Sequence, residues 1–380
     1  MTVSISSRIR QTVAPYLKNA GGWRTGRKLV LFESDDWGAI RMPSREVYNK
    51  CLKAGYEVDT NAYEKYDSLA SEEDLNFLYN LLLSFSDGHG YHPVFTANVL
   101  CANPDFDQIQ DSGFKKYYYE RITETFRQYP DHSRCFDLWR SGIGEKIFFP
   151  QSHGREHLNV SMFMNALKHG DRDALFGFRH RMPGCMPRSM EGGNKYVETL
   201  RYSSESDKKQ KLEILLDGLD LFEELFGYRS RTFTPPNYLW SPDYNGPISQ
   251  SGVRYYQGNR KMKDPVVGSQ FKFHTHKLGE ENRFNQRYLV RNVTFEPSLI
   301  QHKEKVVDQC MWEIAAAFRM SKPAIICTHR LNYVGFIDPD NRDQNLVLLE
   351  QLLKRMLDRW PEIEFITSAE LGEQIDKECG

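Results

Sequence analysis

Residues 28–38 read KLVLFESDDWG. KLVLFES (28–34) is a short apolar, β-prone run closed by carboxylates, the pattern of a buried strand that carries residues to a site. Outward from it the pattern recurs in HPVFTANVL (92–100), KIFFPQSH (146–153), RTFTPP (231–236), VRYYQG (253–258), AIICTH (324–329) and EFITS (364–368). FKFHTH (271–276) and RYLVRNVTF (287–295) are expected to form a hairpin or a strand pair. Helical patterns lie between the runs. They cover surface segments in 44–86, where Ser71 caps an acidic first turn, and then 114–129, a stretch from near Glu156, 208–226, 305–320, 343–359 and the C-terminus. Residues 170–205, with Pro183, Pro187 and Gly192-Gly193, read as an inserted loop. Strands alternating with helices mean a mostly parallel sheet, and about seven such units suit a closed or nearly closed α/β barrel. An open doubly wound sheet has the same local signature. In either fold the C-terminal strand ends share one rim. Asp35-Asp36, His153, Pro235-Pro236-Asn237 and His329 all fall there.

The composition narrows the class. With 380 residues the chain suits one elaborated domain or two. The expected division is a basic extension, 1–27, before a single barrel domain, 28–380, with insertions near 42–90 and 170–205. Lys plus Arg number 50 and Asp plus Glu 51, a net charge of −1 that argues against nucleic acid as a partner. No apolar run reaches the ~18 residues of a spanning helix. Seven scattered cysteines (Cys51, Cys101, Cys135, Cys185, Cys310, Cys327, Cys379) without a C-x-x-C read as reduced thiols. With no secretory leader evident, a cytoplasmic protein is expected. Ile5, Ile9, Val13 and Leu17 make an apolar stripe among Arg8, Arg10 and Lys18. A helix packed on the body is expected there, with peripheral contact to an anionic membrane surface or a transit peptide as alternatives.

His153 and His157 in SHGREHL are four apart where a loop is expected to turn into a helix, a spacing that puts both imidazoles on one face. Among eleven histidines such a pair also arises by chance. Asp35 and Asp36, adjacent at a buried strand end, repel each other; metal binding and base chemistry are their natural uses. Two His and one carboxylate leave open positions for water and substrate, as in catalytic zinc and non-haem iron sites. His329 would be a separate acid if a carboxylate lies near it and Arg330 points elsewhere.

ESDDWG (33–38), SHGREH (152–157), FTPPNY (233–238) and IICTHR (325–330) stand in the order of the motifs of the polysaccharide deacetylase family, the NodB-homology domains, which the chain resembles over most of 28–373. EFITSAEL is similar to that family's closing strand and helix. The resemblance implies a distorted (β/α) barrel of seven-stranded type that hydrolyses N- or O-acetyl groups on sugars with one divalent metal. Carried over, Asp35 is the base, Asp36, His153 and His157 the metal ligands, and His329 the acid. Three departures stand out. Thr234 occupies the place of the family's third-motif Arg, no Asp-x-Trp element is evident beyond Asp308 with Trp312, and Trp37 displaces the first-motif Gly.

The expected chemistry is metal-dependent deacetylation of a sugar or glycan. The metal is zinc foremost, with iron, cobalt or nickel as alternatives, and a backbone N–H near Tyr238 is expected to help hold the oxyanion. Trp37, Tyr238 and Trp240 are candidate sugar-stacking rings, and Arg155, Asn237, Arg330 and Asn332 candidate polar contacts. Two rival readings use the same residues: a two-His-one-carboxylate iron enzyme, and a catalytically weak glycan-binding barrel.

Overall fold

Strand β1 (Lys28–Trp37) is buried along nearly its whole length, as its apolar run predicts for a strand covered on both faces. The computed structural model describes residues 13–183, 195–268 and 271–379. After β1 come β2 (Phe95–Val99), β3 (Ala102–Pro104), β4 (Tyr119–Arg121), β5 (Phe148–Ser152), β6 (Thr232–Phe233) and β7 (Tyr255–Gly258). Then follow β8 (Lys261–Asp264), β9 (Lys272–Thr275), β10 (Arg287–Val290), β11 (Val293–Thr294), β12 (Ala324–His329) and β13 (Ile363–Phe365). One sheet runs in the order β10-β7-β6-β5-β2-β1-β12-β11, with β13 added on β1. All its pairs are parallel.

The two end strands decide between barrel and open sheet. β10 and β11 are joined only by Arg291 and Asn292. The Arg291 N–H donates to Gly258 O on the β7 side (2.9 Å), while the Asn292 N–H donates to Ile325 O on the β12 side (3.3 Å). β10 and β11 thus act as one bent strand shared between both edges of the sheet. The sheet curls into a distorted (β/α) barrel whose seventh strand is split, and the open alternative is excluded. The layer between sheet and helices is packed with rings: Phe32 stacks on Phe95 with centroids 5.1 Å apart, and Trp37 meets Phe148 edge-on at 5.0 Å.

Several local expectations need correcting. FKFHTH and RYLVRNVTF do not pair: β9 joins β8 in an antiparallel ribbon, whereas β10 pairs parallel with β7. Residues 114–129 are helical only from Ile122, because Tyr119–Arg121 is taken by pairing with β3. The helix expected near Glu156 starts at Val160, capped by Asn159. The 170–205 stretch contains a helix, Arg172–Arg179; Cys185, Pro187 and Gly192-Gly193 lie outside the described residues. The Ser71 cap forms as a capping box with Asp74. At the N-terminus Val13 and Leu17 are 42% and 59% exposed, so the described part of the stripe does not pack on the body. Ile5 and Ile9 lie outside the described residues. The chain is held just beyond, where Trp23 N–H donates to Leu278 O and Lys322 Nζ donates to Gly21 O. Among the described residues no helix is long and apolar enough to cross a membrane.

Candidate active site

The site begins with an irregularity in β1. In a regular strand Asp35 and Asp36 would point to opposite faces. Here the register with β2 shifts between Ser34 and Trp37, and Asp36 adopts a left-handed φ of 73°. The bulge turns both carboxylates into one cavity of about 490 Å³ at the C-terminal rim. Gly38, at φ 93°, follows at once; a Cβ there would lie 2.5 Å from Leu100 O, so only glycine fits.

On one side of the cavity Asp36 Oδ1 lies 3.3 Å from His153 Nε2 and 3.5 Å from His157 Nε2, all three residues buried. His153 Nδ1 donates to Thr234 O at 2.7 Å, which orients the ring with Nε2 toward the carboxylate. Burial holds His157 near 3, below the ordinary imidazole value, despite Asp36 beside it, so this ring is neutral. Burial works against the Asp36 charge, yet the Arg41 and His329 cations help keep that carboxyl well below its usual range. A carboxylate oxygen and two imidazole nitrogens converge here, and metal bonds of ~2.1 Å at tetrahedral angles separate ligand atoms by ~3.4 Å. The donor set fits a divalent metal. His157 Nδ1 is buried without a hydrogen-bond partner. The helical-face geometry expected for the pair is not what joins the rings: residues 153–159 are loop, with Gly154 at φ 118°.

On the other side Asp35 is engaged from every direction. Arg291 grips it with Nη1 to Oδ2 (2.6 Å) and Nη2 to Oδ1 (2.7 Å), and Asn98 Nδ2 donates to Oδ1 at 2.7 Å. Arg291 Nε donates to Glu33 Oε2 at 2.6 Å, and Ser368 Oγ holds the other Glu33 oxygen. Burial alone would raise the Asp35 carboxyl, but the Arg291 guanidinium outweighs it and holds the group at about 2. His329 is register partner to Asp35 across β1 and β12. Its Nδ1–H donates to Glu296 Oε1 at 2.5 Å, and its Nε2 turns to the cavity 3.8 Å from Asp35 Oδ2. Burial would lower this imidazole; Glu296 and Asp35 prevail and raise it well above its ordinary value. His329 therefore stays protonated at neutral pH.

Arg291 and Glu296 are candidate functional residues that sequence reasoning missed. Arg291 grips Asp35 where Thr234 offers no guanidinium, and Glu296 is a carboxylate bonded to His329. Both flank β11, which was read as part of a hairpin; a charged Arg inside the apolar run RYLVRNVTF was the available signal. Tyr63, also missed, meets the His329 ring edge-on at 5.6 Å. It comes from the 42–90 insertion, which with Met182, Val197 and Glu198 of the second insertion walls the cavity.

The predicted substrate contacts divide. Asn237 and Tyr238 line the cavity, both at left-handed φ (55° and 54°), a strained pair of the kind found at functional turns. The Tyr238 hydroxyl accepts from Arg291 Nη1. Its backbone N–H donates to Pro235 O, so it is not free for an oxyanion. Trp37 and Trp240 are buried packing rings, their indoles donating to Ser34 Oγ and Asn245 Oδ1. Arg155 is forked onto Glu156 and bonded to Asp217, away from the cavity. Arg330 is fully buried on Asp67 and Ala39 O. Asn332 donates to Glu296 Oε2 at 2.7 Å and steadies the carboxylate that His329 bonds. These five do not reach substrate: each polar group satisfied itself in the interior, as burial demands.

No family model matches the chain, and no curated protein sequence matches it. Several similar solved structures are polysaccharide deacetylases. A protein from Mycobacterium smegmatis assigned as one shares 10% identity over 94% of each chain, with a TM-score of 0.44. A protein from Parabacteroides distasonis assigned as a glycoside hydrolase/deacetylase shares 9% identity over 93% of this chain and 72% of that one, TM-score 0.48. A 4-alpha-glucanotransferase from Thermococcus litoralis shares 10% identity; 90% of this chain is covered but it spans only 40% of that one, TM-score 0.40. At such identities and TM-scores the likenesses carry no argument about chemistry, which rests on the side chains themselves.

Proposed function

We propose that the protein is a metal-dependent hydrolase that removes an acetyl group from an N-acetylated or O-acetylated sugar or glycan. The observation that carries this reading is the split between two adjacent carboxylates: Asp36 lies against the Nε2 atoms of two imidazoles, while Asp35 faces a guanidinium and a protonated imidazole. Asp36, His153 and His157 would hold the divalent metal, zinc foremost. When bound, such an ion polarises an acyl oxygen and lowers the pKa of a water toward ~7. Asp35 is ionised at all working pH values. At about 2 it is a weak base, so it accepts a proton only from an already acidified water. That water adds to the acyl carbon. His329 then gives its Nε2 proton to the departing sugar nitrogen or oxygen as the bond to the acyl carbon breaks, leaving acetate and the free amine or alcohol.

The test is an elemental scan of purified protein combined with acetate release from a panel of N-acetyl and O-acetyl sugars. About one divalent metal per chain and acetate from at least one sugar are expected. Metal-loaded protein that releases none from the whole panel would sink the reading. The iron alternative has no observation of its own in its favour. The weak-binder alternative draws on Thr234 and on the absent Asp-x-Trp element; against it, Arg291 grips Asp35 and Glu296 supports His329.

A further inference from the structure

The outer face of the β8–β9 ribbon is unused by the chemistry above. The stretch 260–277 carries Arg260, Lys261, Lys263, Lys272 and Lys277 against one acid, Asp264, in a chain whose net charge is −1. Asp264 is occupied by His274 at 3.1 Å. In the ribbon Lys263 pairs with Phe273 and Lys261 with Thr275, so these side chains share a face; Met262, between the lysines, is buried against the barrel. Lys261 Nζ sits 4.0 Å over the Phe273 ring and Lys263 Nζ 5.6 Å over the Phe271 ring. Phe273 is 51% exposed, a large aromatic at the surface beside cations with no carboxylate partner among the described residues. Lys263 also lines the catalytic cavity. The cationic, aromatic face is thus continuous with the site.

We propose that this face binds an acidic saccharide chain whose acetylated unit occupies the cavity. Carboxylates of neighbouring sugars would lie on Lys263 and Lys261, and a sugar ring on the open face of Phe273. The cavity, at about 490 Å³, is the size of a small-ligand pocket, so a longer chain must leave it over its rim. Charge complementarity and continuity with the cavity favour this occupant, and exposed rings beside cations suit sugars carrying anions. The inference rests on the hydrolase reading for which unit is acetylated, but not for binding itself.

Titration of metal-loaded full-length protein at low and at physiological salt tests it, with a hyaluronan hexasaccharide (acidic, N-acetylated), a chitin hexasaccharide (neutral, N-acetylated), UDP-N-acetylglucosamine and a short oligothymidine. The acidic hexasaccharide is expected to bind at least tenfold tighter than the neutral one at low salt. The double change Lys261→Gln, Lys263→Gln should erase that preference, and Phe273→Ser should weaken both hexasaccharides severalfold. Equal affinities, no binding of either hexasaccharide, an unchanged preference in the double variant, or tighter binding of the nucleotide sugar or the oligothymidine would overturn the proposal. Both sites of change are on the ribbon, and circular dichroism checks that it still folds. Acetate release is not read, so failure of the hydrolase reading would appear separately, in the sugar panel.

Discussion

Asp35 and Asp36 are neighbours in sequence and opposites in environment. The Asp35 side of the rim is complete in itself: Arg291 is shared with Glu33, Asn98 and Ser368 fill the remaining acceptors, and Glu296 balances His329. On the Asp36 side two imidazole nitrogens and a carboxylate oxygen converge on one point, with Arg41 at 3.5 Å from the other oxygen. A buried charge cluster must be paired or bind an ion. One half of the rim follows the first route, and the other half holds three groups that could take the second. A second group of donors, Glu296, Cys327 and His329, also lies close together. Arg291 Nη1, 3.3 Å from Cys327 Sγ, opposes a cation there.

The contrast can be broken at its metal side first. His153→Ala should lower metal affinity by more than the ~10–100-fold typical of an outer-shell change and abolish acetate release, read by elemental analysis and assay. Metal retained at wild-type affinity would remove His153 from the ligand set. Asp35→Asn should do the reverse, keeping the metal while turnover falls by about 10²–10⁴-fold. Arg291→Met leaves two buried carboxylates without their cation and should cost about 3–5 kcal/mol in urea unfolding; a cost below about 1 kcal/mol would show that the cluster is not a charged unit. The smallest effect is expected from Glu296→Gln, which removes the main support for the His329 charge. Because the folded pKa of His329 is raised, its acid is present at neutral pH and lost as pH rises through that value. The variant's alkaline limb should therefore move to lower pH, with about tenfold less activity near pH 8 and little change near pH 6. The same sign governs stability: the His329 contribution is full below its unfolded value of about 6.5 and disappears at higher pH. Asp35 behaves oppositely. Its folded value of about 2 lies below the unfolded ~3.9, so its contribution is present above ~3.9 and lost on acidification toward 2.

Much of this was legible locally. Apolar runs marked β1, β2, β5, β6, β7, β12 and β13, and polar residues at their ends marked Asp35, Asp36, His153, His157 and His329. Burial of a strand and the residue at its end are properties of a few contiguous side chains, which periodicity reports directly. The aromatic and polar contacts were read less well. Trp37, Trp240, Arg155, Arg330 and Asn332 have the chemistry of ligand-binding residues, and that chemistry is equally suited to an interior partner.

What the sequence by itself determined is the alternation of strand and helix and the set of ionisable groups at the rim. Only the tertiary structure decided that the sheet closes, since closure depends on β10 and β11 pairing with opposite edges 30 to 40 residues away in each direction. It alone decided that Arg291 and Glu296, on either side of that seam, meet Asp35 and His329, because partners 256 and 33 residues apart leave no local pattern. The bulge at Asp36 is the point where both levels meet. Two adjacent carboxylates are written in the chain, but a shared cavity for them exists only where a neighbouring strand imposes the shift in register.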